Sequence, residues 1–189
     1  IIAGSEGTLE LLTEIKLNLV PLPPNEKALV CVHCNSLEDS LKANLVALRH
    51  EPVSVELMDK AILDLTKENI NQNKNRFFVY GEPAAILIVE FAEETQDEIK
   101  LKTEAMEAAI RAENLGYHFP VIAGGDIKKV WDLRKAGLGV LSNMPGDAKP
   151  VPVIEDTAVN PEMLPQYIDE FNALLRKHHL SCVYYAHIG

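Results

Sequence analysis

Apolar and polar positions alternate along this chain with two periods, and the two periods take turns. Over residues 12–19, Thr13, Ile15, Leu17 and Leu19 alternate with Leu12, Glu14, Lys16 and Asn18, the period of a half-buried strand. Pro21, Pro23 and Pro24 end that run and form a stiff connector. Residues 27–33 (KALVCVH) read as a strand. Ser36 then caps a helix through about residue 50, with Leu37, Leu41, Leu45 and Leu48 on one face. Residues 53–58 (VSVELM) form a short strand, and Asp59 caps a second helix to about residue 70.

Residues 69–75 are polar and asparagine-rich, which predicts a loop, and 77–80 predict a brief extended piece. Residues 84–91 (AAILIVEF) are apolar on both faces, the mark of a central strand. A long helix over 93–114 carries pairs such as Glu98 with Lys102 on a solvated face. Residues 117–123 return as a strand. Asp126 caps the next helix, which holds Trp131, Arg134 and Leu138 on one face and ends at Gly137 and Gly139. Residues 151–159 predict a strand. Asn160 caps a last helix with Pro161 at its first position, and Met163, Tyr167, Phe171, Leu174 and Leu175 on its core side. Residues 180–186 (LSCVYYA) form the final strand. This order fits either a parallel α/β sheet or duplicated ferredoxin-like units with an antiparallel sheet; the absence of a phosphate-type βα turn weakens the parallel form.

The charge balance narrows the function classes. A net charge of −10, with no Lys/Arg cluster among aromatics, argues against nucleic-acid binding. No apolar run is long enough to span a bilayer, and no signal-peptide pattern is present. Three cysteines without a dense framework point to reduced thiols and a cytoplasmic location. Cys31 and Cys34 form a CxxC, but Cys31 falls inside a strand, so both read as structural rather than as a redox or zinc site. The chain opens mid-motif without a Met and is expected to be a piece of a longer polypeptide.

Candidate chemistry gathers between residues 124 and 159. Arg134 on a mostly apolar helix face is either a snorkelling side chain covering Trp131 or a fixed fork for a carboxylate. Lys149 follows in a loop. Glu155 and Asp156 stand next to each other on the 151–159 strand and so face opposite sides; Glu155 is the one expected on the functional side. Glu56 and Asp59 in VELMD read as a strand-end carboxylate and a helix cap. His33, His50, His118, His178 and His179 show no ligand spacing. Gly4, Ser5, Glu6, Gly7 and Thr8 make a tight polar turn, of a kind that presents backbone N–H groups to phosphate or simply closes a hairpin.

WDLRKAG, GDAKPVPVIEDTAV and the terminal YYAHIG, in this order and spacing, resemble the C-terminal domain of FAD-linked oxidases. This is the family of D-lactate dehydrogenase, the glycolate oxidase flavin subunit and D-2-hydroxyglutarate dehydrogenase. DAKPVPVIEDTAV looks most like the large members that fuse the flavin module to an iron–sulfur module. The resemblance implies an α+β fold, an antiparallel sheet with helices on one face, built of ferredoxin-like units. It implies that residues 1–20 are the last strand of a truncated FAD-binding domain and 21–189 a substrate or cap domain truncated at its end. GSEGTL resembles that domain's last flavin-contacting segment, so Gly4, Ser5, Glu6, Gly7 and Thr8 become cofactor-binding candidates; Glu10 replaces the glycine that usually follows GTL.

The resemblance further implies oxidation of a D-2-hydroxy acid by hydride transfer to FAD. Arg134 would be the family's WxxR carboxylate clamp, helped by Lys149. His187 would open the family's HxGxGxxH, of which His-Ile-Gly is present, and would serve as ligand to a divalent metal such as zinc or as the base. The implied partners are the small 2-hydroxy acid and the rest of the same polypeptide, with an iron–sulfur cluster elsewhere in the parent. The competing reading is a ferredoxin-like binding or regulatory module without redox activity, in which Arg134 only packs.

Overall fold

The computed structural model describes residues 2–147, 149–154 and 157–189. Its strands are β1 (Glu26–Cys34), β2 (Ser54–Asp59), β3 (Ala85–Glu93), β4 (Val121–Ala123) and β5 (Tyr185–His187). They form one sheet in the order β4-β1-β3-β2-β5, antiparallel throughout. The continuous apolar run of β3 places it at the centre, as its sequence predicts. The helices are α1 (Leu37–Leu48), α2 (Lys60–Glu68), α3 (Ile70–Asn73), α4 (Gln96–Ala112), α5 (Asp126–Lys135), α6 (Gly137–Ser142) and α7 (Leu164–Lys177).

The order of β1 to β4, with α1 after β1 and α4 before β4, is one ferredoxin-like unit. β5 extends that unit at the β2 edge rather than belonging to a second copy. Strand alternation sorts the core into two layers. Val30, Val32, Val55, Leu87 and Val89 face α1 and α4, meeting Leu41, Ile99 and Met106. Leu29, Cys31, Met58, Ile86 and Ile88 face the other way, toward Ile62 and Leu63 of α2 and Val130 and Leu133 of α5. The antiparallel α+β architecture is the expected one, but helices pack on both faces rather than one, with α1 and α4 covering the first. The shorter α2, α5 and α6 close part of the second, and the candidate chemistry lies on that side.

Local signals explain most boundaries. Ser36 accepts from the Asp39 N–H at 2.9 Å, and Thr95 with Glu98 forms a reciprocal capping box at the start of α4. Cys31 and Cys34 are buried and unpaired, on opposite faces of β1. Burial pushes the Cys34 thiol up to about 12 and raises Cys31 as well, so neither is a ready thiolate.

Several expectations fail for physical reasons. Residues 12–19 form no strand: an alternating segment needs a partner ladder, and among the described residues nothing pairs with it. The 69–75 loop is instead α3 followed by a 3-10 turn, because the Asn69 carboxamide accepts from the Asn71 and Gln72 N–H groups and starts a helix. Residues 77–80 are a turn that drops Phe78 into the core. Asp126 does not cap α5; Gly125 holds the cap position, and Asp126 pairs with Lys129 at 2.7 Å. Gly137 and Gly139 do not end the helical run. It breaks at Ala136 and resumes as α6, which turns Leu138 out to solvent. Residues 151–154 and 157–159 form no strand, since Pro150 and Pro152 have no N–H for a ladder. The Val153 N–H instead folds back to the Val151 carbonyl at 2.9 Å. Leu164 and Ile168 of α7 reach the core, while Leu174 and Met163, which precedes the helix, are exposed. The final strand is only three residues, Tyr185–His187. Among the described residues no helix is long and apolar enough to cross a membrane.

Candidate functional site

β2 and β5 run antiparallel with Glu56 opposite His187 and Met58 opposite Tyr185. Residues two apart on a strand share a face. Glu56, Met58, Tyr185 and His187 therefore line the layer that faces α5, and α5 brings Arg134 down onto them. Val130 and Leu133, fully buried one turn and one residue before Arg134, fix the helix at that distance.

Arg134 is seated from two sides. Its Nε–H and one Nη2–H both donate to Glu56 Oε2, at 3.1 and 2.6 Å. Its guanidinium carbon lies 3.4 Å from the centroid of the Tyr185 ring, a cation–π stack. The Tyr185 hydroxyl donates to the Arg134 backbone carbonyl, so one ring holds both ends of the residue. Burial lowers the Arg134 pKa from its ordinary value and the Glu56 charge opposes that shift; an arginine stays cationic throughout the physiological range. The Nη1 hydrogens have no partner among the described residues.

The other oxygen of Glu56 takes the third member. His187 Nδ1–H donates to Oε1 at 3.0 Å. A carboxylate only accepts, so Nδ1 carries a proton in this contact. The His187 side chain is 63% exposed, whereas Arg134 and Glu56 are 13% and 16% exposed. The result is a half-buried ion pair with an accessible imidazole at its rim. It sets a guanidinium with one free edge, among the described residues, beside an accessible imidazole.

Asp59 holds β5 in place from the edge. Its carboxylate accepts from the Ile62 N–H at 3.2 Å as the cap of α2, and from the Tyr184 N–H at 2.8 Å. Burial raises its carboxyl pKa while those N–H groups lower it. Asp59 is the cap that the sequence predicts.

The remaining candidates lie apart. Lys149 is exposed and its ammonium donates to the Met144 carbonyl; no contact joins it to Arg134, Glu56 or His187 among the described residues. Glu155 lies outside the described residues, as does Asp156. Gly4, Ser5, Glu6, Gly7 and Thr8 form two tight turns, with Ser5 N–H on the Ile2 carbonyl and Thr8 N–H on the Ser5 carbonyl. Gly4 and Gly7 take positive φ, and a Cβ at either would meet nothing within 4 Å, so this segment is open rather than a closed cofactor cradle.

No cluster of three or more His, Cys, Asp or Glu side chains gathers among the described residues. His187 and Glu56 supply an imidazole and a carboxylate, one short of the three protein ligands of a catalytic zinc. Glu56 and Tyr185 are the members that periodicity does not single out. Glu56 is the lone charge between Val53 and Met58 in an apolar strand, which is the signal that marks it.

A family model described as FAD linked oxidases, C-terminal domain, matches residues 23–189. The chain belongs to that family. It is 31% identical over 196 residues to a D-2-hydroxyglutarate dehydrogenase of Pseudomonas putida, covering all of this chain and 19% of that protein. It is 33% identical over 199 residues to a D-2-hydroxyglutarate dehydrogenase of Escherichia coli, again all of this chain and 19% of the relative. A glycolate oxidase subunit GlcD of Bacillus subtilis is 22% identical over 190 residues, covering 98% of this chain and 38% of that protein. The chain thus spans about one fifth of the length of the D-2-hydroxyglutarate dehydrogenases it matches. The family and its antiparallel sheet agree with the motifs around Trp131, Asp147 and Tyr185 that carry the resemblance.

Proposed function

We propose that this chain is the substrate-binding cap of a larger FAD-dependent enzyme that oxidises a D-2-hydroxy acid, of the lactate, glycolate or 2-hydroxyglutarate type. The observation that carries the reading is the Arg134–Glu56–His187 constellation on one sheet face, in a chain of the FAD-linked oxidase family. The hydroxy acid loses its hydroxyl proton and the hydride on C2, and becomes the 2-oxo acid. FAD, when bound, would supply the two-electron acceptor for this oxidation. Arg134 holds the substrate carboxylate through the guanidinium edge that Glu56 does not occupy. His187 Nε2, in reach of solvent, accepts the hydroxyl proton. Lys149 adds positive charge from its loop, and Glu155 is carried as a further site residue on the resemblance alone.

Gly4, Ser5, Glu6, Gly7 and Thr8 border the flavin from the domain that residues 1–20 complete. Their open turn, with glycines that admit close backbone approach, supports this role. A divalent metal such as zinc at His187, which would take the Nε2 lone pair in place of the proton and so replace the base role, and an iron–sulfur module elsewhere in the parent belong to the proposal on the resemblance alone. The free, buried Cys31 and Cys34 support a cytoplasmic setting.

The test uses the full-length parent. Anaerobic addition of D-2-hydroxyglutarate, D-lactate or glycolate should bleach the oxidised-flavin absorbance with one of them. A flavin that stays oxidised with all three would remove the substrate class, and a parent without flavin would remove the enzyme reading.

A further inference from the structure

We infer that Asn44, on the opposite face of the sheet from the site, is a positioning residue that clamps the main chain of the His187-Ile188-Gly189 segment. Its catalytic consequence rests on the function proposed above; its structural content stands on the hydrogen bonds at the end of β5.

Just past His187 the ladder between β5 and β2 departs from regularity. Opposed residues in a hydrogen-bonded antiparallel pair exchange both bonds with each other. Carried one residue beyond Glu56 and His187, the register sets Val55 opposite Ile188. The Ile188 N–H does donate to the Val55 carbonyl, at 2.9 Å, but the Val55 N–H goes to the Gly189 carbonyl, at 2.6 Å. Two residues of one strand thus oppose one of the other, which is a β-bulge. The Ile188 carbonyl falls out of the ladder, and the Asn44 Nδ2–H donates to it at 3.0 Å. α1 meets the next residue as well: a Cβ on Gly189 would lie 2.5 Å from Leu48 Cδ2 and 3.4 Å from Asn44 Oδ1.

Asn44 is fully buried within α1. Only its NH2 can face a carbonyl, which turns Oδ1 away, and among the described residues that oxygen is buried without a partner. Leucine, close in size, would remove the orphaned acceptor and is the better helix former. Fold stability alone therefore does not call for asparagine at this position. What leucine cannot do is hold the Ile188 carbonyl.

His187 depends on that hold. Its side chain is 63% exposed, and its polar contact among the described residues is the Glu56 carboxylate. Side chains alternate across a strand, so Ile188 packs into the layer of α1 while His187 stands on the face of Arg134. Clamping residue 188 from one face sets the direction of residue 187 on the other. The same holds whether His187 serves as metal ligand or as base.

Asn44→Leu in the full-length holoenzyme tests the clamp, with Asn44→Ala read by the same criteria if the leucine variant does not fold. Loss of folding in both would make Asn44 a folding residue and overturn the positioning role. The first measurement needs no substrate. Hydrogen exchange should quicken at least about threefold in peptides holding Val55 and Ile188, with β1 and β3 unchanged, because local opening follows the bonds that are lost. A smaller change there, or an equal rise across the sheet, overturns the clamp. The second is anaerobic flavin bleaching with the hydroxy acid that reduces the wild type, at matched flavin content. A misplaced reacting group costs up to about 100-fold, so the limiting rate should fall at least about fivefold. The half-saturating concentration should change less than the rate does, since Arg134 keeps its seat on Glu56 and Tyr185. A smaller fall in rate, even with a lowered melting temperature, marks a merely structural asparagine and overturns the positioning role; so does an equal loss of rate and affinity. If no hydroxy acid bleaches wild-type flavin while exchange quickens at Val55 and Ile188, the functional reading fails and the clamp on β5 stands.

Discussion

Gly137 lies flat against the ring of Tyr185: a Cβ at 137 would sit 2.5 Å from the ring Cε2 and 2.9 Å from Cζ. The ring has no freedom to retreat, since its hydroxyl is bonded to the Arg134 carbonyl and its face carries the Arg134 guanidinium. The break between α5 and α6 thus sets the aromatic floor on which the arginine rests. Gly137 serves the site through close approach, not as the helix terminator its sequence position suggests.

Gly137→Ala should therefore destabilise the chain in spite of alanine's better helix propensity. Overpacking of this kind costs about 1–3 kcal/mol, against a gain of up to about 1 from replacing a helical glycine. Urea unfolding should show a lower midpoint with an unchanged slope, and the parent's apparent affinity for its hydroxy acid should fall with it. A midpoint at or above wild type would mean that Tyr185 is free to move aside.

Arg134→Lys should weaken substrate binding more than it slows the limiting rate. Lysine keeps the charge but has no planar fork to give one edge to Glu56 and another to a carboxylate, and it loses the stack on Tyr185. A charge-assisted hydrogen bond of about 1.5–3 kcal/mol corresponds to a rise of roughly 10- to 150-fold in KM. Steady-state kinetics of the parent with flavin content matched to wild type would measure it. Unchanged KM would return Arg134 to the packing reading.

The sheet and its long helices were legible because their signals are local. β3 is apolar on both faces, Ser36 and Asp59 cap where they should, and the WDLRKAG motif marks Arg134. The missed parts depend on partners far along the chain. Residues 12–19 carry a strand pattern, but a ladder needs a neighbour that period alone cannot supply. Proline chemistry outweighs apolar composition at 151–159. Glu56 lies 78 positions from Arg134 and 131 from His187. Its isolation in the apolar run VSVELM marks Glu56, but that it bonds Arg134 and His187 emerges only when β5 is placed beside β2.

His33 should make the fold sensitive to mild acid. The ring is fully buried, with Nδ1 against the Cys31 carbonyl at 2.8 Å and Nε2 accepting from the Tyr80 N–H at 3.1 Å. That bonding requires the neutral ring. Burial pushes its pKa down to about 4, and the neighbouring His118 lowers it further against the carbonyl bonds that raise it. A lowered folded pKa means that the unfolded chain binds more protons between about 6.5 and 4. The stabilisation is fully present above 6.5 and is lost as pH falls through that window, about 3 kcal/mol for this one group. Urea midpoints measured from pH 7 to pH 4 should fall more steeply for wild type than for His33→Gln. Parallel slopes would show that other groups carry the acid sensitivity.

Asp59→Ala should loosen the strand that carries His187. The carboxylate bonds the Ile62 N–H at the start of α2 and the Tyr184 N–H at the start of β5, at 3.2 and 2.8 Å. Loss of a helix cap costs about 1 kcal/mol, and an N–H left unpaired in a half-buried position about 1–3 more. Because burial disfavours the Asp59 charge, alanine recovers part of that cost, so a net loss of about 1–3 kcal/mol is expected. β5 pairs with β2 at Glu56, Leu57 and Met58 against His187, Ala186 and Tyr185, and the Val55 N–H on the Gly189 carbonyl anchors its far end, so Asp59 is the side chain that holds its leading end. Hydrogen exchange should therefore quicken at the β5 amides before it does in β1 or β3, and the parent's limiting rate of flavin reduction should fall with it. Uniform acceleration across the sheet would instead place Asp59 in the global core and separate it from the setting of His187.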